Sequence, residues 1–441
     1  MRKKILGIMP VILLLPGAAW AKDLDTVAEL KKELEQQRQQ TELLLQRINE
    51  LDLKLREQEK SRAESTDVAP ASPAALTESV PAAEADAAPG KVQPNKASSW
   101  VDRFNLEGDL RYRHETISPE GLSTRNRQRI RARVGLETRV SEIFDVGIMV
   151  VSGSDDPIST NQTLDGAFST KDIRLDLAYF DWHPVTVPGF HLSAGKIKNP
   201  FFSPGKTELI WDSDLRPEGG AIKYSKNLSN LELFANLGGF WAEERSTAAD
   251  TGLFGAQAGA KYSFPFLNDK GYVLAGGSYF DYANTKGMLP LYEAVDPFGN
   301  TVDGNGRYMY GYELVEYFAE FGFKVHGIPV SFLGDYVKNR SAGAVKNQGW
   351  LAGTVIGKCS SPNSWSIRYN YRDLEADAVL GVFADSDFID GGTDGRGHEF
   401  GLDYQIVKGV KTGATYFDNQ RRLSLGARDY QRLQLDLVFD F

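Results

Sequence analysis

Arg129, Arg131 and Arg133 stand two residues apart, so on an extended strand their guanidinium groups project from one face as a basic ladder. A second charged set, Glu208, Asp212, Asp214, Arg216 and Glu218, lies in a stretch punctuated by Pro200, Pro204 and Pro217. Such charges can select ions, since a basic ladder facing an acidic segment across water creates a field that sorts small charged solutes. Arg111, Arg113, Arg368 and Arg372 fall on the polar faces of other alternating runs and extend the basic set. The blander alternative is that these arginines pair with Glu107, Asp109 and Glu137 and only solvate a wall.

Covalent and metal chemistry find little support. His-Glu-x-x-His, Gly-x-Ser-x-Gly and Gly-x-x-x-x-Gly-Lys are all absent, and the five histidines (His114, His183, His191, His326, His398) are scattered along the chain. No catalytic residue, cofactor or metal ligand is therefore expected. Cys359 is the only cysteine, so the chain forms no internal disulfide and has no thiolate metal cluster. The acidic, Gly-rich stretches 385–394 and 303–306 lack the spacing of a calcium loop and read as solvated surface loops.

The elements that position the charges are strands. At the end of the chain Leu433, Leu435, Leu437, Phe439 and Phe441 alternate with Gln434, Asp436, Val438 and Asp440. One face of such a strand suits hydrocarbon and the other water. Phe104 to Tyr112, Ile130 to Val140, Val315 to Val325 and Ile367 to Tyr371 repeat the pattern. Strands are predicted near 104–113, 129–140, 145–154, 173–182, 190–197, 219–225, 231–241, 253–264, 271–282, 314–325, 329–339, 347–358, 364–374, 396–406, 409–419 and 429–441. Connections alternate between short (141–144, 183–189, 226–230, 265–270, 326–328, 359–363, 407–408) and generally longer (114–128, 155–172, 198–218, 283–313, 375–395). A soluble sandwich has no reason to alternate so regularly, whereas a membrane barrel with short periplasmic turns and long outer loops does. A barrel of about sixteen strands is too wide for its side chains to fill, and leaves an aqueous channel. No segment is long enough for a plug domain, so the stretch from Asn199 to Gly219, after the fifth strand, is expected to fold inward with its charges at a constriction.

The N-terminal part reads differently. Arg2, Lys3 and Lys4, the apolar run Ile5 to Leu15 and Ala19-Trp20-Ala21 make residues 1–21 a cleaved secretory signal, too short in its apolar part for a membrane anchor. Over 22–62, Val27, Leu30, Leu34, Leu44, Ile48, Leu51 and Leu55 keep heptad register, with Gln37, Thr41 and Gln58 as polar seam positions, which predicts a short α-helical coiled coil. Residues 63–99, rich in Ala, Pro, Ser and Glu, cannot bury a core and are predicted to be a disordered linker reaching ~100 Å. The formal charge is −9 for the chain, and −12 once the three basic residues of the leader are subtracted. So acidic a protein is a poor partner for nucleic acid.

The run Gly195-Lys196-Ile197-Lys198-Asn199-Pro200-Phe201, with Leu209-Ile210-Trp211-Asp212-Ser213-Asp214 and Pro217-Glu218-Gly219-Gly220, resembles the putative-porin family of proteobacterial outer-membrane proteins. The likeness extends over most of 100–441 and the signal, coil and linker arrangement. It implies an all-β outer-membrane barrel that acts as a passive channel for small hydrophilic solutes and ions, a homotrimer whose third loop enters the lumen, and no enzyme. The last strand resembles the aromatic C-terminal strand of outer-membrane barrels, which implies that Phe441 is the signal read by the barrel assembly machinery, with lipid and lipopolysaccharide around the wall. Two alternatives stay open. A phosphate-selective porin family also combines a coiled coil with basic lumen ladders, although here the barrel region is net acidic; and the coiled coil could tether the outer membrane to a periplasmic partner.

Overall fold

The computed structural model describes residues 103–441 except Asn268, Ala342 and Ala344. The leader, coiled coil and linker expected over residues 1–99 lie outside the described residues. The strands are β1 (Phe104–Pro119), β2 (Arg125–Ser141), β3 (Phe144–Ser152), β4 (Gln162–Thr163), β5 (Ile173–Trp182) and β6 (Phe190–Lys196). They continue as β7 (Glu218–Leu228), β8 (Leu231–Glu243), β9 (Thr251–Phe266), β10 (Asp269–Tyr282), β11 (Tyr312–Val325) and β12 (Ile328–Asn339). The last are β13 (Gln348–Gly357), β14 (Trp365–Leu374), β15 (Gly395–Val407), β16 (Val410–Arg421) and β17 (Arg428–Asp440).

All pairings are antiparallel, and β1 pairs with β17, so the sheet closes on itself and leaves no edge. The two-residue β4 flanks β2 at Arg129 and Ile130, beyond the end of β3. The other sixteen strands form the barrel, as the alternating runs predict. Closure is tight at the last residue. Phe441 donates its N–H to the Gly108 carbonyl at 3.0 Å and accepts from the Gly108 N–H at 2.9 Å. Its ring occupies the space a side chain at 108 would need.

Period-two alternation gives the wall two faces. Leu106, Leu110, Leu136, Ile148, Leu435 and Leu437 are exposed on the outside, while Asp109, Arg113, Glu115 and Gln434 are buried within. Exposed aromatic residues gather near the short-turn end (Phe104, Phe144, Phe180, Trp365, Phe439) and near the other end (Trp241, Tyr279, Trp350), as the girdles of a barrel do at the two surfaces of a membrane.

One expected long connection is short. Residues 114–128 hold a turn of only 120–124, because β1 continues to Pro119 and β2 begins at Arg125. Apolar alternation stops at Tyr112, but the ladder continues through His114↔Gln128 and Thr116↔Asn126. Those outward side chains bond one another, His114 to Gln128 at 2.6 Å and Thr116 to Asn126 at 2.8 Å. The wall here rises past the apolar zone, so the strand persists after its lipid-facing pattern has ended.

The main apolar core lies inside the barrel at the long-loop end. Leu209, Ile210 and Trp211 of loop 197–217 share it with Tyr308 of loop 283–311, with Val379, Leu380 and Val382 of loop 375–394, and with the wall residues Leu314, Val337 and Leu351. The expectation that 385–394 is a solvated surface loop is thereby corrected: Asp385, Phe388, Ile389, Thr393 and Asp394 are all buried. Burying Ala376 to Ala384 against the other loops draws this segment inward, a consequence of apolar area removed from water. Residues 303–306 remain at the surface, with Gly304 and Asn305 exposed.

Candidate functional site

The loop that crosses the lumen is held by aromatic residues. After β6, Phe201 packs edge-on against Phe280 with ring centroids 4.9 Å apart and against Phe240 at 6.3 Å. Gly255 leaves the room, because a side chain there would meet the Phe201 ring. Phe202 packs on Phe234 and Phe318. Its backbone is clamped by Gln257, which accepts from the Phe202 N–H at 2.7 Å and donates to the Phe202 carbonyl at 3.0 Å. Trp211 Nε1 donates to the Tyr282 hydroxyl at 2.7 Å. Further along, the Gly205 N–H reaches Glu320 of β11 at 3.2 Å and Arg372 of β14 donates to the Glu208 carbonyl at 3.2 Å. On the return Arg216 meets Asp176 of β5 at 3.2 Å. The segment thus spans the lumen from one wall to the other.

A second inward loop meets it. The Asp212 N–H donates to the Phe383 carbonyl at 2.9 Å, and its carboxylate accepts from the Ser386 N–H at 2.9 Å. Loop 375–394 then places Asp385 2.8 Å from Arg372 and Asp387 between Arg432 at 2.7 Å and Arg113 at 3.1 Å. Sequence reasoning assigned Asp385 and Asp387 no part in the lumen. The usable signal was the apolar run from Ala376 to Ala384, which is out of place in a loop exposed to water.

The charges sort by wall. On β1, β2 and β17 stand Arg111, Arg113, Arg127, Arg129, Arg131, Arg133 and Arg432, with Asp109, Glu115 and Asp436 among them. Arg131 pairs with Asp109 at 2.9 Å, and Arg133 pairs with Asp109 and, at 3.5 Å, with Asp214. Arg129 lies 3.7 Å from Glu115. Glu107 and Glu137 are not among their partners: Glu107 instead holds Lys198 at 3.2 Å. Arg111 bonds the side chain of Asn161 at 2.6 Å and has no ion-pair partner among the described residues.

Opposite, Glu208, Asp212 and Asp385 bring carboxylate oxygens within 4.8 Å of one another. Burial and the neighbouring Asp212 and Asp385 push the Glu208 carboxyl well above its ordinary range. Burial, Asp385 and Asp214 do the same to Asp212. Burial alone would raise Asp214 too, but Arg131, Arg133 and Arg216 outweigh it and hold that carboxyl low. The N–H groups of Ser213, Asp214, Ser386 and Asp387, together with Arg372, already satisfy oxygens of this cluster. Its polar atoms are held by protein rather than aimed at a vacant centre.

Glu208, Asp212, Asp214 and Arg216 are thus brought inside the barrel together with the ladder. Glu218 is not. It opens β7 in register with Lys196, is exposed, and pairs with Lys196 at 2.8 Å. Between the two charged sides lies a cavity of about 710 Å³, lined by Arg111, Arg113, Arg131, Glu208, Asp385 and Asp387 and extending to Cys359 at the short-turn end.

A family described as "Putative porin" matches residues 119–302 and 292–441. Among solved structures, Pseudomonas putida OprB at high pH is 10% identical, covers 79% of this chain and 96% of its own, and has a TM-score of 0.51. Salmonella typhi OmpF in complex with daunomycin is 13% identical over 77% of this chain and 97% of that one, with a TM-score of 0.48. A triple mutant of Rhodopseudomonas blastica porin is 13% identical over 77% and 100%, with a TM-score of 0.43. At such identity the OprB similarity speaks for the barrel fold alone. No curated protein matches the sequence.

Proposed function

The chain belongs to the putative-porin family, and from that membership we propose that its lumen is a passive diffusion path for small hydrophilic solutes and ions, in which anions and cations follow opposite walls. The observation that carries this reading is the crossing of the lumen by loop 197–217. It sets Glu208, beside Asp385, across a cavity from Arg111, Arg113 and Arg131. A transverse field of this kind orients a permeating dipole and lowers the barrier for either sign of charge on its own side. Selectivity is accordingly mixed and weak, since Asp109 neutralises part of the ladder.

The barrel sits in the outer membrane of a Gram-negative cell, with the short turns toward the periplasm and lipopolysaccharide around the long-loop end. Residues 1–21 act as the export signal, 22–62 as a periplasmic coiled coil, and 63–99 as its linker. Phe441, bonded in both directions to Gly108, serves as the assembly signal. The functional unit is a homotrimer, for which the polar seam positions Gln37 and Thr41 suit the coil. No catalytic step is assigned to it.

Liposome swelling tests the reading. Proteoliposomes should admit uncharged sugars at rates that fall with solute size and do not saturate with concentration. Rates equal to those of empty liposomes would refute it.

A further inference from the structure

At the short-turn mouth, away from the constriction, three neighbouring strands bring two imidazoles and two carboxylates to one place. Asp145 of β3 stands directly opposite Asp181 of β5 in the ladder, and Asp181 opposite Ser193 of β6. One row further out, His183 follows Asp181 by two residues, and its ring centroid is 5.7 Å from that of His191. His183 Nε2 lies 3.0 Å from Asp145 Oδ2, and His191 Nδ1 lies 2.7 Å from Asp181 Oδ2. The ligand atoms of Asp145, Asp181 and His183 all lie within 4.8 Å of one another. Like charges directly opposite on adjacent strands are unfavourable.

We propose that His183, His191, Asp145 and Asp181 form a binding site for a divalent first-row transition ion, with Zn²⁺ as the fitting case. The donor set is two nitrogens and two carboxylate oxygens, the mixed hard and borderline set that Zn²⁺ accepts in tetrahedral geometry. An ion about 2.0 Å from each donor separates them by about 3.3 Å, so the two nitrogen to oxygen contacts open slightly, the Asp145, Asp181 and His183 donors otherwise draw together, and the half-exposed His191, outside that group of three, turns inward as the fourth ligand. The two carboxylates then face a cation rather than each other. Outer partners are in place. Ser193 Oγ donates to Asp181 Oδ1 at 2.6 Å and Arg139 Nε reaches Asp145 Oδ1 at 3.5 Å, the kind of support that fixes ligand orientation. The side chains of His183, Asp145 and Asp181 are 15–19% exposed and that of His191 46%, so an ion can enter from solution. The sequence spacing hid the set, because its members come from strands whose register only the closed sheet defines.

The site does not rest on the transport reading, and its test is a binding measurement. Full-length protein in detergent, stripped with a chelator, is titrated with Zn²⁺ alone and with Mg²⁺ as the hard-ion control. One Zn²⁺ per chain and no Mg²⁺ is the expected result. The variant His183→Ala/His191→Ala should lose saturable binding, and Ser193→Ala should weaken it by about tenfold. Heat-modified migration on gels shows that each variant still forms the barrel. Absence of stoichiometric Zn²⁺ in the wild-type chain would overturn the proposal. So would equal binding by the double variant, which would assign the ion to His114, His326 or His398.

Discussion

The Asp212 carboxylate accepts a hydrogen bond from the Ser386 N–H at 2.9 Å, so two loops separated by 174 positions in the chain share one anchor inside the barrel. The constriction is therefore a joint construction of loops 197–217 and 375–394, and its width depends on their contact.

Asp212→Ala removes both bonds the carboxylate accepts, from Ser386 and from Asp214. Each orphaned N–H costs about 1–3 kcal/mol locally, enough to loosen the crossing segment. Single-channel records should show larger conductance with faster fluctuation. Records identical to the wild-type ones would mean that the contact does not set the width.

Arg111 and the ladder should differ in weight. Arg131 and Arg133 share Asp109, whereas Arg111 faces the cavity without an ion pair among the described residues. Replacing Arg129, Arg131 and Arg133 with Gln should move the reversal potential in a salt gradient toward cations, because Asp109 is left unbalanced. Arg111→Gln alone should give a larger shift for each charge removed. An unchanged potential in both variants would take these arginines out of the conduction path.

Acid should favour anions earlier than ordinary carboxylates predict. Glu208 and Asp212 have carboxyl pKa values raised by burial and by their acidic neighbours, so they take up protons at higher pH than ordinary carboxylates do, while Asp214 is held low by Arg131, Arg133 and Arg216. Protonation removes negative charge from one side of the lumen and leaves the arginines unchanged. It also relieves the repulsion between the two loops: with folded values raised, their contact is strongest below that titration and weakens as the pH rises through it. Reversal potentials taken across a pH series should drift toward anions above the usual carboxylate range. Asp212→Asn should reduce that drift.

Phe201→Ala empties the pocket made by Phe240, Phe280, Trp211 and Gly255. A buried Phe lost in this way costs about 3–5 kcal/mol. The temperature of the heat-modified gel shift should fall, whereas Leu425→Ala, at an exposed loop tip, should leave it unchanged.

The strands were legible because lipid on one side and water on the other impose period two; the predicted run 173–182 coincides with β5. Residues 114–118 were missed because the outward side chains there, His114 and Thr116, are polar, and hydrogen bonding without hydrophobic alternation leaves no pattern. Loop 197–217 announced itself through Phe201, Phe202 and Trp211 beside prolines. Loop 375–394 carried only the apolar run Ala376 to Ala384, and what buries it was not legible, since that depends on loops 197–217 and 283–311 arriving from elsewhere, as when the Asn300 side chain bonds the carbonyls of Ala376 and Val379. Glu218 was misplaced with the constriction because strand parity at the end of a loop is fixed by pairing with Lys196, not by its neighbours in sequence.

Planar-bilayer recording of the purified full-length protein tests the central claim most directly. Stepwise current increments, each the same size within an open state and ohmic at low voltage, are predicted after insertion. A membrane that demonstrably contains the protein and remains electrically silent would contradict a water-filled path between the two charged walls.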